Sequence, residues 1–126
     1  MKTERQTVGK RGEDAACAYL RAAGHTILER NWRMTHLETD IISLDAAGLH
    51  FVEVKTRMAP TSADPEVNVT VTKQKRLVKA AQEYLHSPAR PRIPFEEMFF
   101  DVITVVLDGD EQTIEYYPQA FIPIYV

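Results

Sequence analysis

The sequence is poor in several features that mark particular classes of protein. Its 126 residues include one cysteine, Cys17, which cannot form an internal disulfide and has no second thiol with which to build a zinc site. No apolar run approaches the roughly 20 residues that span a bilayer, and the polar start MKTERQTVGKRGED lacks the apolar centre of a signal peptide. We therefore expect a cytoplasmic protein with no membrane partner.

The histidines are also few, and they are scattered along the chain. His25, His36, His50 and His86 show no metal-ligand spacing, and we assign none of them a chemical role. With 44% hydrophobic and 26% charged residues, the composition is that of a globular protein. The length predicts one domain, residues 1–126, that is large enough to bury a core.

The net charge of −3 argues against a polyanionic partner, but this sum conceals a segregation of charge along the chain. Residues 1–33 and 72–92 carry net charges of +3 and +5, whereas residues 34–71 and 93–126 carry −4 and −7. The basic segments suit a phosphate backbone and the acidic middle suits a metal ion. An ordinary mixed surface explains the charge pattern equally well.

Hydrophobic periodicity and turn residues predict two helices and five strands. The first helix covers residues 8–23, with Thr7 or Thr3 as its cap, and the second covers residues 71–86. The strands are predicted at residues 25–33, 37–44, 49–57, 99–107 and 112–118. The order α-β-β-β-α-β-β predicts a single-domain α/β fold, a mixed β-sheet flanked by helices.

Two connecting segments also stand out. Residues 58–70 contain two prolines and small polar residues, which predicts a mobile loop directly after the third strand. Loops in such positions often close over a substrate. Residues 88–94 are predicted to be a connector between the second helix and the fourth strand.

The short turn 45-DAAG-48 predicts an antiparallel hairpin between the second and third strands. If Leu44 and Leu49 stand opposite each other, the register places Asp40 opposite Glu53. The same register places Glu38 opposite Lys55, and by alternation Glu53 and Lys55 share one face of their strand.

Two carboxylates on neighbouring strands repel each other unless a proton or a cation lies between them. Oxygen ligands suit a hard divalent cation, so Asp40 and Glu53 predict a Mg²⁺ site, with Mn²⁺ as the alternative ion. Lys55 would lie beside a water on that ion, where it could orient the water, help to deprotonate it or stabilise charge on a phosphate. The alternative interpretation is a solvated Glu-Lys pair, and a bulge in the hairpin would make Asp40 and Glu53 diagonal neighbours.

The segments that carry a family pattern run through nearly the whole chain: 12-GEDAACAYL-20, Gly24, 28-LERNWR-33, 38-ETD-40, 51-FVEVKTR-57, 73-KQKRLVKAAQEYL-85 and 100-FDVITV-105. In this order they resemble the YraN-like family of small bacterial proteins, within the PD-(D/E)XK nuclease superfamily and similar to archaeal Holliday-junction resolvases. The resemblance implies a restriction-endonuclease-like fold and a Mg²⁺-dependent endonuclease that acts on double-stranded or branched DNA.

The resemblance also implies roles for individual residues. It makes Asp40 and Glu53 metal ligands and Lys55 the catalytic lysine, and it makes Glu13 a further acid that reaches the site from the first helix. The family usually has Gly-Glu-Ile-Asp at the second strand, whereas this chain has 37-LETD-40. The acids are kept and the glycine is not.

Basic residues of the second helix are the predicted phosphate contacts, with two arginines of the first strand as weaker candidates. These residues are Lys73, Lys75, Arg76 and Lys79, followed by Arg30 and Arg33. Two other functions remain open. One is a nucleic-acid-binding or adaptor protein with a vestigial site; the other is a structural protein, such as a homodimer, whose charged strand face is the subunit interface.

Overall fold

The architecture follows the predicted order of elements. A computed structural model describes residues 3–60, 67–88, 90–92 and 94–123. It contains α1 (Glu4–Ala22), β1 (Thr26–Met34), β2 (Leu37–Leu44), β3 (Leu49–Met58), α2 (Val71–His86), β4 (Met98–Asp108) and β5 (Glu111–Tyr117). The α/β fold with a mixed sheet and flanking helices is therefore confirmed. Residues 61–66 of the predicted mobile loop, and 89 and 93 of the predicted connector, lie outside the described residues.

The first helix begins earlier than its apolar periodicity predicted, because a polar capping box starts it. Thr3 is the N-cap: its Oγ accepts the N–H of Gln6 at 3.1 Å, and the Gln6 side chain accepts the N–H of Thr3 at 2.9 Å. Of the two predicted caps, Thr3 is the one used. The first turn of α1 is thus held by local hydrogen bonds rather than by core contacts.

The five strands form one sheet in the order β1-β2-β3-β4-β5. Neighbours are antiparallel except β3 and β4, which run parallel. Parallel strands cannot be joined by a tight turn, and the chain between them forms α2. The strand that carries Glu53 and Lys55 is therefore central and has a neighbour on each side.

The predicted hairpin register is confirmed over four residue pairs, from Leu44 opposite Leu49 to Ile41 opposite Val52. The turn is fixed by its first residue, since Asp45 Oδ1 accepts the N–H groups of Ala47 at 3.0 Å and Gly48 at 3.2 Å.

The two helices cover opposite faces of the sheet. On the α1 face, the buried cluster consists of Ala15, Ala16, Cys17, Leu20, Ile41, Val52, Ile103, Val105 and Leu107. On the α2 face, it consists of Ile42, Leu49, Phe51, Leu77, Val78, Ala81, Tyr84 and Phe100. Adjacent residues of one strand, such as Phe51 and Val52, fall into different clusters because side chains alternate across a strand. Among the described residues, no helix combines the length and the apolar character that crossing a bilayer requires.

Helix α1 lies close to β3 at Gly12. A Cβ atom at this position would lie 1.9 Å from Thr56 Oγ1 and 2.8 Å from Thr56 Cβ. Rotation of the threonine side chain cannot move its own Cβ away, so the helix itself would have to shift. Gly12 thereby sets how closely the adjacent Glu13 approaches the sheet.

A matched pair of glycine substitutions tests the close contact between α1 and β3. We expect Gly12→Ala to destabilise the protein by roughly 1–3 kcal/mol, because the added methyl group overpacks the contact with Thr56. Gly9→Ala, in the same helix, meets nothing within 4 Å and should stabilise it by about 0.5–1 kcal/mol through helix propensity. Urea unfolding of both variants measures the two effects. Equal stability of the two variants would show that Gly12 is not in close contact with β3.

Candidate functional site

Main-chain pairing is interrupted at Asp40, both towards β1 and towards β3. Asn31 of β1 occupies the position opposite Asp40, but the two do not pair although the residues flanking them do. Asn31 has a φ of 51°, a left-handed conformation that breaks the regular pleat. Towards β3, the ladder stops at the pair Ile41–Val52, one step short of Asp40. The carboxylate of Asp40 therefore lies at a gap in the sheet.

The Asp40 carboxylate enters this gap and takes a main-chain donor from the next strand. Its Oδ2 accepts the N–H of Val54 at 2.8 Å. Burial raises the pKa of Asp40 to about 6, and the negative charges of Glu53, Glu13 and Glu38 act in the same direction, against the lowering effect of the Val54 N–H. The electrostatic environment of Asp40 thus favours a proton or a cation beside it.

Glu53, the predicted second ligand, is also largely removed from water. Its side chain is 16% exposed, and its Oε1 lies 3.4 Å from the Lys73 Nζ. Its Oε2 is buried and has no hydrogen-bond partner; among the described side chains, only Thr39 Oγ1 shares this state. A buried carboxylate oxygen without a donor is costly, so Glu53 offers an oxygen that a bound cation would satisfy.

Glu13 reaches the sheet from α1, as the resemblance implied, and it is 9% exposed. Its Oε1 accepts hydrogen bonds from Arg30 Nε at 3.0 Å and from Asn31 Nδ2 at 2.9 Å. Asn31 was not predicted as a site residue. The sequence carries only a weak signal for it, namely that asparagine tolerates positive φ better than most residues.

Lys55 lies on β3, and its predicted position opposite Glu38 falls beyond the end of the β2–β3 ladder; the two side chains have other partners. The Lys55 Nζ donates to the Asn68 carbonyl at 3.3 Å, just before α2, and Glu38 instead forms a salt bridge of 3.2 Å with Arg33. The reason is the early end of the β2–β3 ladder, after which the paired register no longer fixes which side chains face each other. The predicted Asp40–Glu53 pair also lies beyond the ladder, although the two acids influence each other electrostatically.

The predicted phosphate-binding residues fall into two groups. Lys75 and Lys79 are exposed on α2 and form no ion pair within the described chain, and Arg76 donates to the His36 carbonyl at 3.3 Å. The others already contact acids: Lys73 pairs with Glu53, Arg33 with Glu38, and Arg30 with both Glu13 and Asp14. Their role towards DNA stays a prediction.

A cleft of about 650 Å³ opens beside this region, between the start of α1 and strands β1 to β3. Glu13, Asp40, Arg30, Asn31 and Thr56 are among its lining residues, and Glu53 and Lys55 are not. The acids thus meet near Asp40 from two sides of the sheet. The oxygens of Glu13, Asp40 and Glu53 do not all lie within 4.8 Å of one another.

A second polar cluster, which the sequence analysis did not anticipate, does meet that spacing. Ligand atoms of His25, Asp45 and His50 lie within 4.8 Å of one another, and this is the one such trio among the described residues. The histidines are 25 positions apart and share no local motif, so their meeting depends on the sheet register.

Comparison with known sequences shows the family of this chain. The family model described as "Uncharacterised protein family UPF0102" matches residues 12–105. The chain belongs to the UPF0102 family. This agrees with the YraN-like resemblance, and the matched span includes the four residues predicted to be catalytic, Glu13, Asp40, Glu53 and Lys55.

Several UPF0102 proteins cover almost the same length. The chain is 41% identical over 121 residues to one from Syntrophotalea carbinolica, with 96% of each chain covered. It is 40% identical over 120 residues to one from Bacteroides thetaiotaomicron, covering 95% of this chain and 96% of the relative. A Chlorobium chlorochromatii protein is 47% identical over 120 residues, with 90% of each chain covered. All three are named only by family, so the names state no activity.

The raised pKa of Asp40 has a measurable consequence in the metal-free protein. The folded state retains the Asp40 proton up to pH of about 6, whereas the unfolded chain releases it near its ordinary pKa of 3.8. Relative to Asp40→Asn, the free energy of unfolding of the wild type should therefore fall as pH rises from about 4 to about 6. Near pH 7 the variant should be more stable by up to roughly 3 kcal/mol. Urea unfolding in a chelator across this range measures the difference.

Asp14→Asn is the matched control, because its pKa moves the other way. Hydrogen bonds from Arg30 and Lys10 lower the pKa of Asp14, so its carboxylate stabilises the folded state and that contribution is lost as pH falls. The wild type should gain stability relative to Asp14→Asn as pH rises through the acidic range. Parallel curves for wild type and Asp40→Asn between pH 4 and 7 would contradict an elevated Asp40 pKa.

Proposed function

We propose that this protein is a divalent-cation-dependent endonuclease that hydrolyses phosphodiester bonds in DNA. The observation that carries the proposal is the state of Asp40 and Glu53. One is a partly buried carboxylate with a raised pKa, and the other has a buried oxygen without a donor. Both features disfavour an empty pair of carboxylates and are relieved by a cation.

The donor set fits Mg²⁺. Carboxylate oxygens are the ligands that this ion prefers, and Asp40 and Glu53 are the residues that would hold it, with Mn²⁺ as a substitute. When bound, such an ion lowers the pKa of a water and stabilises negative charge on a phosphate. Glu13, held by Arg30 and Asn31, adds a third acid whose charge favours a cation near Asp40.

Lys55 supplies the positive charge that the reaction needs at the phosphate. Its ammonium group donates to a main-chain carbonyl, that of Asn68, which is a weaker acceptor than a phosphate oxygen. A scissile phosphate can therefore replace Asn68 as the partner. In that position Lys55 orients the attacking water or stabilises charge as it develops on the phosphate.

DNA would be held by the basic surface of α2. Lys75 and Lys79 are one helical turn apart and exposed, so they can contact neighbouring phosphates. Lys73 connects this surface to the acids through its ion pair with Glu53. The substrate backbone would then pass from α2 towards the end of the β2–β3 ladder.

A second candidate function is DNA binding without catalysis, as in an adaptor protein. The contacts that favour it are the ion pairs already made by the acids: Glu53 with Lys73, and Glu13 with Arg30. Acids neutralised by protein cations need no metal. The two functions differ in one measurable property, stoichiometric binding of a divalent cation that depends on Asp40.

Two variants distinguish the contribution of the metal ion to cleavage from that of Lys55. Asp40→Asn should abolish both Mg²⁺ binding and cleavage. Lys55→Ala should lower the cleavage rate by about 10²- to 10⁴-fold and leave metal affinity equal or higher, because a nearby positive charge has been removed. Calorimetry with Mg²⁺ or Mn²⁺, beside cleavage assays on linear, nicked, flapped and four-way DNA, measures these effects.

Arg21→Ala serves as the control in the same assays. It removes an exposed positive charge in the last turn of α1 and should leave cleavage unchanged. Lys55 would be structural if its removal abolished metal binding, and outside the mechanism if its removal left cleavage intact. Failure of the wild type to cut any substrate with either ion, while still binding DNA, would favour the adaptor function.

The α2 surface has its own test in the salt dependence of DNA binding. The double change Lys75→Ala, Lys79→Ala should weaken binding to all sequences. It should also reduce the slope of log affinity against log salt by about 2, because each lost phosphate contact contributes roughly 0.9. Fluorescence anisotropy over a range of salt concentrations measures the slope. An unchanged slope would mean that the phosphates are bound elsewhere.

A further inference from the structure

The cluster of His25, Asp45 and His50 lies on the α1 face of the sheet near the β2–β3 turn, outside the cleft that Glu13 and Asp40 line. His50 is on β3 three residues before Glu53, which corresponds to about 10 Å along the strand, and its side chain points to the opposite face. His25 precedes β1, and Asp45 begins the β2–β3 turn. The cluster therefore joins three separate parts of the chain.

Both imidazoles direct one nitrogen towards the same carboxylate. The His25 Nε2 lies 3.4 Å from Asp45 Oδ2, and the His50 Nε2 lies 2.8 Å from Asp45 Oδ1. Ligands of a tetrahedral Zn²⁺ at bond lengths near 2.0–2.1 Å are themselves roughly 3.3 Å apart. The separations observed are close to this value, so small side-chain movements would suffice to admit an ion.

The remaining nitrogen of each imidazole is fixed by a buried partner. The His50 Nδ1 lies 2.6 Å from Asp101 Oδ2, and the His25 Nδ1 lies 2.9 Å from Ser43 Oγ. The Asp101 carboxylate, which has no exposed surface, also accepts the Tyr116 hydroxyl at 2.5 Å and the Gln119 N–H at 2.9 Å. A carboxylate behind a ligating histidine is the usual outer support of a zinc site, because it orients the ring and strengthens it as a donor.

The charge and surroundings of the cluster also suit a divalent ion. Two neutral imidazoles and the carboxylates of Asp45 and Asp101 give a total charge that a 2+ ion cancels. A cavity of about 430 Å³ reaches both histidines and Asp45, and it provides an entry path and room for a further ligand such as water.

From this geometry we propose a transition-metal site, of a kind suited to Zn²⁺, with His25, Asp45 and His50 as ligands and Asp101 and Ser43 as the groups that position the imidazoles. Nitrogen donors favour such an ion over Mg²⁺. A bound ion would link the residue that precedes β1, His25, to the β2–β3 turn. The site does not depend on the nuclease proposal, because it shares no residue with it.

The experiment is a titration of the metal-free full chain with Zn²⁺ in competition with a chromophoric chelator. We expect one ion to bind per chain, tightly enough to compete with the chelator, because three protein ligands with outer support hold it. Asp45→Asn and His25→Gln should each weaken binding at least 100-fold, and Asp101→Asn should weaken it by about 10- to 100-fold. Co²⁺ in place of Zn²⁺ should give the visible absorption of a site with nitrogen ligands and low coordination number.

Two control variants separate this site from other ways of binding metal. His36→Gln removes an exposed histidine outside the cluster, and Asp40→Asn removes the proposed Mg²⁺ ligand; both should bind Zn²⁺ as the wild type does. Asp45→Asn keeps a side-chain oxygen that can cap the turn, so this variant remains informative if His25→Gln does not fold. Absence of stoichiometric Zn²⁺ binding, retention of it in folded Asp45→Asn, or loss of it in Asp40→Asn would each overturn the proposal.

Discussion

The hydrogen bond between the Val54 N–H and the Asp40 carboxylate is the contact on which the candidate site depends. It places a carboxylate between β2 and β3 at the point where main-chain pairing would normally continue. Asn31 makes this possible on the other side, because its left-handed backbone ends regular pairing there and its amide holds Glu13. Without this interruption, the Asp40 carboxylate would not occupy the gap beside β3, where the charges of Glu13 and Glu53 both act on it.

The crowding of carboxylates at this interruption is expected to reduce the stability of the folded protein. Burial and neighbouring charge raise the pKa of Asp40, and the buried oxygen of Glu53 lacks a donor. Protein cations offset part of this cost, since Arg30 contacts Glu13 and Lys73 contacts Glu53. The region is therefore only partly compensated by the protein itself, a condition more typical of binding sites than of structural ion pairs. The Gly12 contact contributes by keeping α1 close enough for Glu13 to take part.

Most of the fold could be predicted from the sequence, because the signals that specify it are local. Capping residues, the 45-DAAG-48 turn and the alternation of apolar residues identified every element and the hairpin register as far as the pair Ile41–Val52. The predictions of side-chain partners failed where those partners depend on non-local geometry. The early end of the ladder, the partner of Lys55 and the role of Asn31 depend on contacts between residues that are well separated along the chain. The meeting of His25 and His50 likewise needed the strand order, which spacing along the chain does not encode.

The linear strand order also determines how charge is distributed across the sheet. The exposed lysines of α2, which packs against β1 and β2, lie towards the β1 edge, whereas the last segment of the chain, containing β4 and β5, carries a net charge of −7. The positive charge of α2 and the negative charge of the last segment therefore lie towards opposite edges of the sheet. A polyanion near such a molecule would be attracted by one region and repelled by the other, so it would be oriented before contact forms. A small net negative charge is thus compatible with an oriented encounter with a nucleic acid.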